Sequence, residues 1–215
     1  MRVKIILLTF FTLASILKSQ TQFVNTNPFP LHYFIENKGQ FEPILPDGQA
    51  PLVKPLFMYQ DNHAQVAILE NGFAINNGKC RFFQKFEYAN SDAIIHSEGP
   101  SPFYFSYGHQ TKKSYGYSKV TFKNFYPHID LIYEIQPNSV GFKYSFFVHP
   151  GGNIQSIRWQ ISPESQTEIN ANATMVSKLP SMQVSQTQWR IFQQDSLPIA
   201  FSIQKSQSLY LLEVT

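Results

Sequence analysis

Large apolar side chains recur at every second position in the middle of this chain. The pattern runs from Ile129 to Ile135, stops at Pro137-Asn138-Ser139, and returns from Gly141 to His149. Successive side chains of a β-strand point to opposite faces, so this alternation predicts two half-buried antiparallel strands joined by a turn. An amphipathic helix would instead need apolar residues three and four apart. The centre of the chain therefore predicts a β-hairpin.

Shorter strand patterns cover much of the remaining chain. Asn71-Gly72 and Asn77-Gly78 are hairpin turn signals, and no stretch of ten residues after the N-terminus has a helical pattern. Further strands are predicted at 56–60, 65–70, 73–75, 80–88, 103–107, 154–161, 167–169, 174–177, 189–192, 199–204 and 209–214. Together these predict an all-β fold, an antiparallel β-sandwich-like two-sheet domain of about a dozen short strands.

The first nineteen residues have the layout of a secretory signal peptide. Arg2 and Lys4 precede an apolar run of thirteen residues, Ile5 to Leu17, and small Ser19 stands just before Gln20. A membrane-spanning helix needs about 20 apolar residues, so the run predicts an export signal rather than an anchor. We expect cleavage between Ser19 and Gln20, and a protein that is secreted or held at the cell surface without a transmembrane anchor.

The remaining chain has the length of one domain. We divide it into an extended, proline-containing lead-in at 20–31 and a single domain at 32–215. Cys80 is the only cysteine, so the chain cannot form an internal disulfide and its stability must come from packing.

The charge balance argues against nucleic-acid binding. Three of the 17 basic residues and none of the 14 acidic residues lie in the leader, so the rest of the chain has 14 of each. Nucleic-acid-binding domains normally carry a clustered basic face, which this sequence lacks.

Several sequence blocks resemble a family of secreted Bacteroidetes surface proteins. Phe34 to Phe41 (FIENKGQF) is similar to the "ENKGQ" start of an N-terminal domain of unknown function in that family. The block 126–133 (YPHIDLIY) resembles its "YPGIDLVYY", with His128 where the family usually has glycine, and 141–148 (GFKYSFFV) resembles its "GLKYDFIV". The likeness is good over residues 31–160 and weak over 161–215.

The resemblance implies a place at the surface of a Bacteroidetes-type cell. In that family the domain often precedes SBBP β-propeller repeats, PKD-like modules and a C-terminal sorting signal for gliding motility and type IX secretion. None of these follows in the present sequence, which is either a single copy of the domain or part of a longer chain. Turn and bend chemistry accounts for the family-motif positions, which we interpret as structural: Glu36, Asn37, Lys38, Gly39, Gln40, Tyr126, Pro127, Ile129, Asp130, Lys143 and Tyr144.

No catalytic, metal or cofactor motif is present. The chain lacks the common nucleophile, zinc, phosphate-loop and dinucleotide patterns, and His128 with Asp130 supplies only two of the three or four ligands that a zinc site needs. Stacking of exposed aromatics on sugars is an alternative role, for which the candidates are Tyr115, Tyr117, Trp159 and Trp189.

The sequence leaves three functional hypotheses. We expect a non-enzymatic exported β-domain that acts in surface architecture or adhesion, with surface proteins or glycans as partners. A carbohydrate-binding module is the first alternative, and a secreted hydrolase, for which the sequence provides many carboxylates but no specific pair, is the second.

Overall fold

The computed structural model confirms an all-β fold with two antiparallel sheets. It describes the backbone at 3–4, 7–11, 31–44, 52–60, 64–107, 112–135, 141–163, 165–170, 174–189, 191–193, 198–199, 201–206 and 209–214. Side chains are described within 33–44, 52–60, 64–107, 112–135, 141–163, 165–170 and 174–186. The predicted cleavage site, the lead-in at 20–30, the turn at 137–139 and the side chain of Trp189 lie outside these ranges.

The described residues form nineteen strands and one short 3₁₀ helix. The strands are β1 Val3–Lys4, β2 Leu7–Phe11, β3 Leu31–Glu36, β4 Phe57–Gln60, β5 Gln65–Leu69, β6 Gly72–Asn76, β7 Arg81–Phe86, β8 Ile94–Phe105, β9 Ser114–Tyr126, β10 Ile129–Ile135, β11 Phe142–Val148, β12 Arg158–Ile161, β13 Gln166–Ile169, β14 Met175–Leu179, β15 Met182–Trp189, β16 Ile191–Gln193, β17 Pro198–Ile199, β18 Phe201–Ser206 and β19 Leu209–Val214. The 3₁₀ helix is Ile154–Ser156.

One sheet is much larger than the other. Its strands follow the order β17-β16-β1-β11-β10-β9-β3-β4-β5-β6-β7-β12-β19-β18, and β8 pairs with β9 outside this path. The second sheet has the order β13-β14-β15-β2. The large sheet curls back on itself. The rings of Phe73 on β6 and Phe142 on β11 lie 5.2 Å apart, although five strands lie between β6 and β11 in the sheet order.

The predicted hairpin provides one wall of the core. β10 and β11 pair antiparallel from Ile129↔Val148 to Ile135↔Phe142, and the apolar face of β10 is buried at every second residue. Aromatic rings fill most of the space between this wall and β5–β7, with Tyr133, Tyr144 and Phe146 fully buried. Packing of this kind stabilises the domain without a disulfide.

A closed ring of hydrogen bonds joins the two sheets. The Gln84 amide nitrogen donates to the Tyr144 hydroxyl at 3.0 Å, which donates to the Gln186 amide oxygen at 2.9 Å. Gln186 in turn donates to the Gln84 amide oxygen at 2.8 Å. All three side chains are buried, so the ring satisfies polar groups that would otherwise destabilise the core.

Several strand predictions were wrong in their extent, most clearly those at β8 and at residues 154–156. β8 begins at Ile94, nine residues before the predicted start, and continues through Gly99-Pro100 and Pro102. Residues 154–156 form the 3₁₀ helix rather than the start of a strand. Prolines are tolerated in β8 because, among the described residues, it pairs only with β9, so one edge of the strand needs no N–H donor.

Two strands lie inside the predicted leader. β1 pairs with β11 and β16, and β2 pairs with β15. Among the residues whose side chains are described, the buried core extends from Phe34 to Val184. No helix in the described part of the chain is long and apolar enough to cross a bilayer.

Candidate functional site: an aromatic hairpin beside the ENKGQ loop

The ENKGQ segment forms a loop that is held by its own side chains. The Asn37 amide oxygen accepts the N–H groups of Gly39 at 2.9 Å and Phe41 at 3.2 Å, while its amide nitrogen donates to the carbonyl of Pro55 at 2.7 Å. Gln40 donates to the Glu36 carbonyl at 2.6 Å and accepts the Lys38 N–H at 2.7 Å. Gly39 has a φ of 111°, which disfavours a residue with a Cβ. These contacts explain the motif by loop geometry.

Lys38 extends from this loop to the hairpin of β8 and β9. Its ammonium group lies 3.2 Å from the carboxylate of Glu36 and donates to the carbonyl of Lys113 at 3.2 Å. It also lies 5.7 Å from the centre of the Tyr115 ring. The loop therefore places one cation beside an aromatic ring of the hairpin.

Tyr104 and Tyr115 form an exposed aromatic pair on that hairpin. They are directly opposite each other in the β8–β9 register, so their side chains project from the same face. Tyr104 is 49% exposed and Tyr115 is 39% exposed. The Lys113 ammonium group lies 4.4 Å from the centre of the Tyr104 ring, a cation–π distance. We call Tyr104, Tyr115, Lys38 and Lys113 the hairpin patch.

The other face of the hairpin carries rings that meet edge to face, of which Phe103 is itself 51% exposed. Phe103 meets Tyr33 and Phe105 edge to face, with ring centres 6.1 and 5.4 Å apart. A Cβ on Gly116 would lie 2.6 Å from Tyr33 Cβ and 2.9 Å from the Phe105 ring, so glycine permits this close contact. Rings at 84° and 68° to each other form no flat platform, so this face is unsuited to stacking on a sugar.

A cleft opens beside the ENKGQ loop and is lined in part by Gln40 and Phe41. It has a volume of about 480 Å³, and its apolar lining includes Ile35 and Met58. Tyr107 also lines it and meets Phe41 edge to face with ring centres 5.4 Å apart. Burial raises the pKa of the Tyr107 hydroxyl. Glu42 is the single carboxylate among the described residues that line the cleft. Glycoside hydrolysis usually requires two carboxylates.

Asp130 fastens the bend between β9 and β10. One of its carboxylate oxygens accepts the Asn124 N–H at 2.7 Å, and the other lies 2.8 Å from His149 Nε2. The imidazole of His149 packs on the Phe147 ring at 4.7 Å. The partner of Asp130 is thus His149, the residue after β11, and not His128, which lies two residues before Asp130. Both carboxylate oxygens serve the bend.

The other family-motif residues lie in or against the core. Ile129 and Tyr126 are buried, and the Tyr126 hydroxyl donates to the Glu87 carbonyl at 2.9 Å. Pro127 belongs to the turn that precedes β10. Lys143 forms an ion pair with Glu134 at 3.1 Å, directly across the β10–β11 pair. Tyr144 is part of the hydrogen-bonded ring between the sheets.

The predicted sugar-stacking residues have different environments. Tyr115 belongs to the hairpin patch, whereas Tyr117, two residues along β9, packs edge to face against Phe57 with ring centres 6.4 Å apart. The expectation for Trp159 was wrong, because its side chain is fully buried in the core. Tyr104 and Lys113 were missed, and Lys38 was interpreted as structural, since the sequence shows no pattern that brings residues 38, 104, 113 and 115 together.

A comparison with known families covers most of the chain. The profile described as "Domain of unknown function (DUF7948)" matches residues 34–211, which is 178 of 215 residues. The chain belongs to the DUF7948 family. The match begins within the FIENKGQF block and continues past residue 160, through the region where the motif resemblance was weak. No curated protein and no solved structure matches the chain.

The hairpin patch and the cleft both lie within the region that the DUF7948 profile matches. All four residues of the hairpin patch and every described residue of the cleft lie within 34–211. β1 and β2 lie before the matched region. The candidate site is therefore part of the family domain itself.

Proposed function

We propose that this DUF7948 domain is an exported, non-catalytic binding module that attaches to a partner at the cell surface through the hairpin patch. The observation that carries the proposal is the exposed pair Tyr104 and Tyr115. Large aromatic side chains normally fill the core of a domain without disulfides, and an exposed cluster of them is typical of an interaction surface.

Export is supported by the sequence of the leader. Its basic start, thirteen-residue apolar run and small Ser19 follow the order of a secretory signal. The motif resemblance adds a Bacteroidetes-type envelope and a family in which the domain accompanies propeller repeats and a type IX sorting signal. The export part of the proposal is tested by mass spectrometry of the protein from a secreting host. A mature N-terminus at Gln20 supports it, and an intact leader on cytoplasmic protein contradicts it.

A glycan is the partner favoured by the chemistry of the patch. Tyrosine ring faces stack on the C–H groups of sugars, while the neighbouring lysine ammonium groups donate to hydroxyl oxygens. The purified chain would be applied to an array of polysaccharides and envelope proteins. Binding to glycans supports a carbohydrate-binding module, and binding to proteins alone supports adhesion through a protein contact. A chain that binds neither contradicts the proposed function.

A further inference from the structure

The hairpin patch has an excess of positive charge. Lys113 has no carboxylate partner among the described residues, and the same holds for Lys112, the exposed residue before it. Lys38 is paired with Glu36, the one carboxylate in contact with the patch within the described ranges. Two lysines of the patch therefore face one carboxylate, and Lys112 stands next to Lys113 in the sequence, although the chain without its leader has equal numbers of basic and acidic residues.

The cations and the rings occupy the same surface. Lys113 Nζ lies 4.4 Å from the Tyr104 ring centre, and Lys38 Nζ lies 5.7 Å from that of Tyr115. Lys38 Nζ is also 3.2 Å from the carbonyl oxygen of Lys113, so the Lys38 ammonium group reaches the backbone of the hairpin beside Lys113. A ligand that rests on either tyrosine is consequently within reach of an ammonium group.

We infer that the hairpin patch binds an anionic polysaccharide, one that carries carboxylate or sulfate groups along its chain. The inference rests on the proposed function and names the ligand class of the same surface. A neutral sugar would use the tyrosines and leave Lys112 and Lys113 without a role. An anionic sugar places its ring on a tyrosine and its charged group against a lysine, and the attraction between opposite charges adds to stacking.

A polysaccharide fits the surface better than a nucleic acid, which also combines stacking with positive charge. Proteins that hold single-stranded nucleic acid place it in a positively charged groove that follows several nucleotides of the backbone. The hairpin patch instead contains two lysines, Lys38 and Lys113, with Lys112 beside Lys113 in the sequence. The leader further predicts a compartment outside the cell, where polysaccharides are abundant.

The test measures the affinity of the purified full chain for three soluble polysaccharides and one oligonucleotide. The probes are polygalacturonate, dextran sulfate, neutral dextran and oligo(dT). We expect binding to polygalacturonate or dextran sulfate that weakens as salt is added, because exposed charges are screened. The double variant Lys112→Gln/Lys113→Gln should bind about three- to tenfold more weakly.

A matched variant controls for net charge. Lys54→Gln/Lys79→Gln removes two exposed lysines from other loops and should leave the affinity unchanged. The inference is overturned if both double variants bind alike, if dextran binds as well as the anionic polymers, if oligo(dT) binds more tightly than either, or if none of the probes binds.

A tyrosine variant distinguishes failure of the anionic-polysaccharide inference from failure of the proposed function. If Tyr104→Ala/Tyr115→Ala abolishes binding to a neutral glycan or a protein while the lysine variant does not, the patch is a binding surface for an uncharged ligand. That result overturns the inference and leaves the proposed function standing. If the tyrosine variant is folded and binds every array partner as the wild type does, both are overturned.

Discussion

At the scale of single residues, the side chain of Asn37 shapes the loop of the candidate site. It makes hydrogen bonds to Gly39, Phe41 and Pro55, and these fix the loop that contains Lys38 and Phe41. An asparagine in a turn commonly bonds to the backbone two residues ahead, so the motif itself indicates this role. Its bond to Pro55, eighteen residues away, has no sequence signal.

We expect Asn37→Ala to lower the free energy of unfolding by about 1–3 kcal/mol, because backbone groups of a partly buried loop lose their partners. Urea denaturation measures the change. Gln65→Ala is the control, since this exposed side chain has no hydrogen-bond partner among the described residues. Equal stability of the two variants would contradict the role assigned to Asn37.

His128 departs from the glycine that is usual in the resembling family, and its backbone gives the reason for that preference. Its φ of 61° lies in the left-handed region, where a residue with a Cβ is strained by about 1–2 kcal/mol. Glycine has no such strain, but it lowers the free energy of unfolding by about 0.5–1 kcal/mol because it loses more conformational entropy on folding.

We therefore predict that His128→Gly raises the free energy of unfolding by about 0.5 kcal/mol, the difference between these effects. The matched control is His96→Gly in β8, where the backbone is extended and glycine should destabilise the strand. Both are measured by urea denaturation. The interpretation fails if the two substitutions change stability in the same direction.

At the scale of elements, the hairpins could be predicted from the sequence, whereas pairing between strands that are distant in the chain could not. β10 and β11 followed from alternation, and β5 to β7 from the turns Asn71-Gly72 and Asn77-Gly78. β8 was predicted too short because Gly99, Pro100 and Pro102 look like strand breakers. An edge strand accepts them, but edge status depends on the sheet order, which local patterns do not reveal.

The hydrogen-bonded ring of Gln84, Tyr144 and Gln186 was equally beyond sequence reasoning. Gln186 is 102 residues from Gln84, and either glutamine alone reads as a surface residue. The Asn77 side chain joins the sheets a second time by donating to the Ser181 carbonyl at 2.8 Å. These polar contacts connect the smaller sheet to the larger one, in addition to the burial of Met175, Met182 and Val184 in the shared core.

Tyr144→Phe should lower the free energy of unfolding by about 1–3 kcal/mol, because it leaves buried amide groups of both glutamines without the hydroxyl. Tyr133→Phe is a close control. Tyr133 is opposite Tyr144 in the register and equally buried, but its hydroxyl makes one long hydrogen bond, 3.4 Å from the Gly72 carbonyl. Chemical denaturation of both should show the larger loss for Tyr144. A larger loss for Tyr133 would contradict the importance of the ring.

At the scale of the whole molecule, buried tyrosines couple stability to alkaline pH. Burial raises the pKa of Tyr126 and of Tyr133 well above the ordinary value of 10.0. In the unfolded chain these hydroxyls lose their protons near pH 10, while in the folded chain they keep them. The unfolded state then binds fewer protons, so the free energy of unfolding falls as the pH rises above about 10.

We expect these tyrosines to leave the urea denaturation midpoint unchanged between about pH 8 and 9. Above about pH 10 the midpoint should decline. Tyr126→Phe should reduce the steepness of the decline. Phenolate absorbance of the folded protein provides an independent reading. Full ionisation of all tyrosines near pH 10 without unfolding would contradict the burial of these hydroxyls.

The division between core and surface aromatics is the property of the whole molecule on which the proposed function depends. Most described rings interlock inside the curled sheet, whereas Tyr104 and Tyr115 lie outside it beside lysines. Tyr88 is another exposed tyrosine, 79% exposed, but it lies in the turn after β7, away from the hairpin patch along the chain.

The most direct test compares the double variant Tyr104→Ala/Tyr115→Ala with Tyr88→Ala. It measures the affinity of each for the polysaccharide or envelope protein that the wild-type chain binds on the array. Thermal unfolding first establishes that both variants are folded. We predict that the hairpin variant loses binding by about tenfold or more, as expected when two aromatic contacts are removed, while Tyr88→Ala binds like the wild type. Undiminished binding by a folded hairpin variant would show that the hairpin patch is not the binding surface.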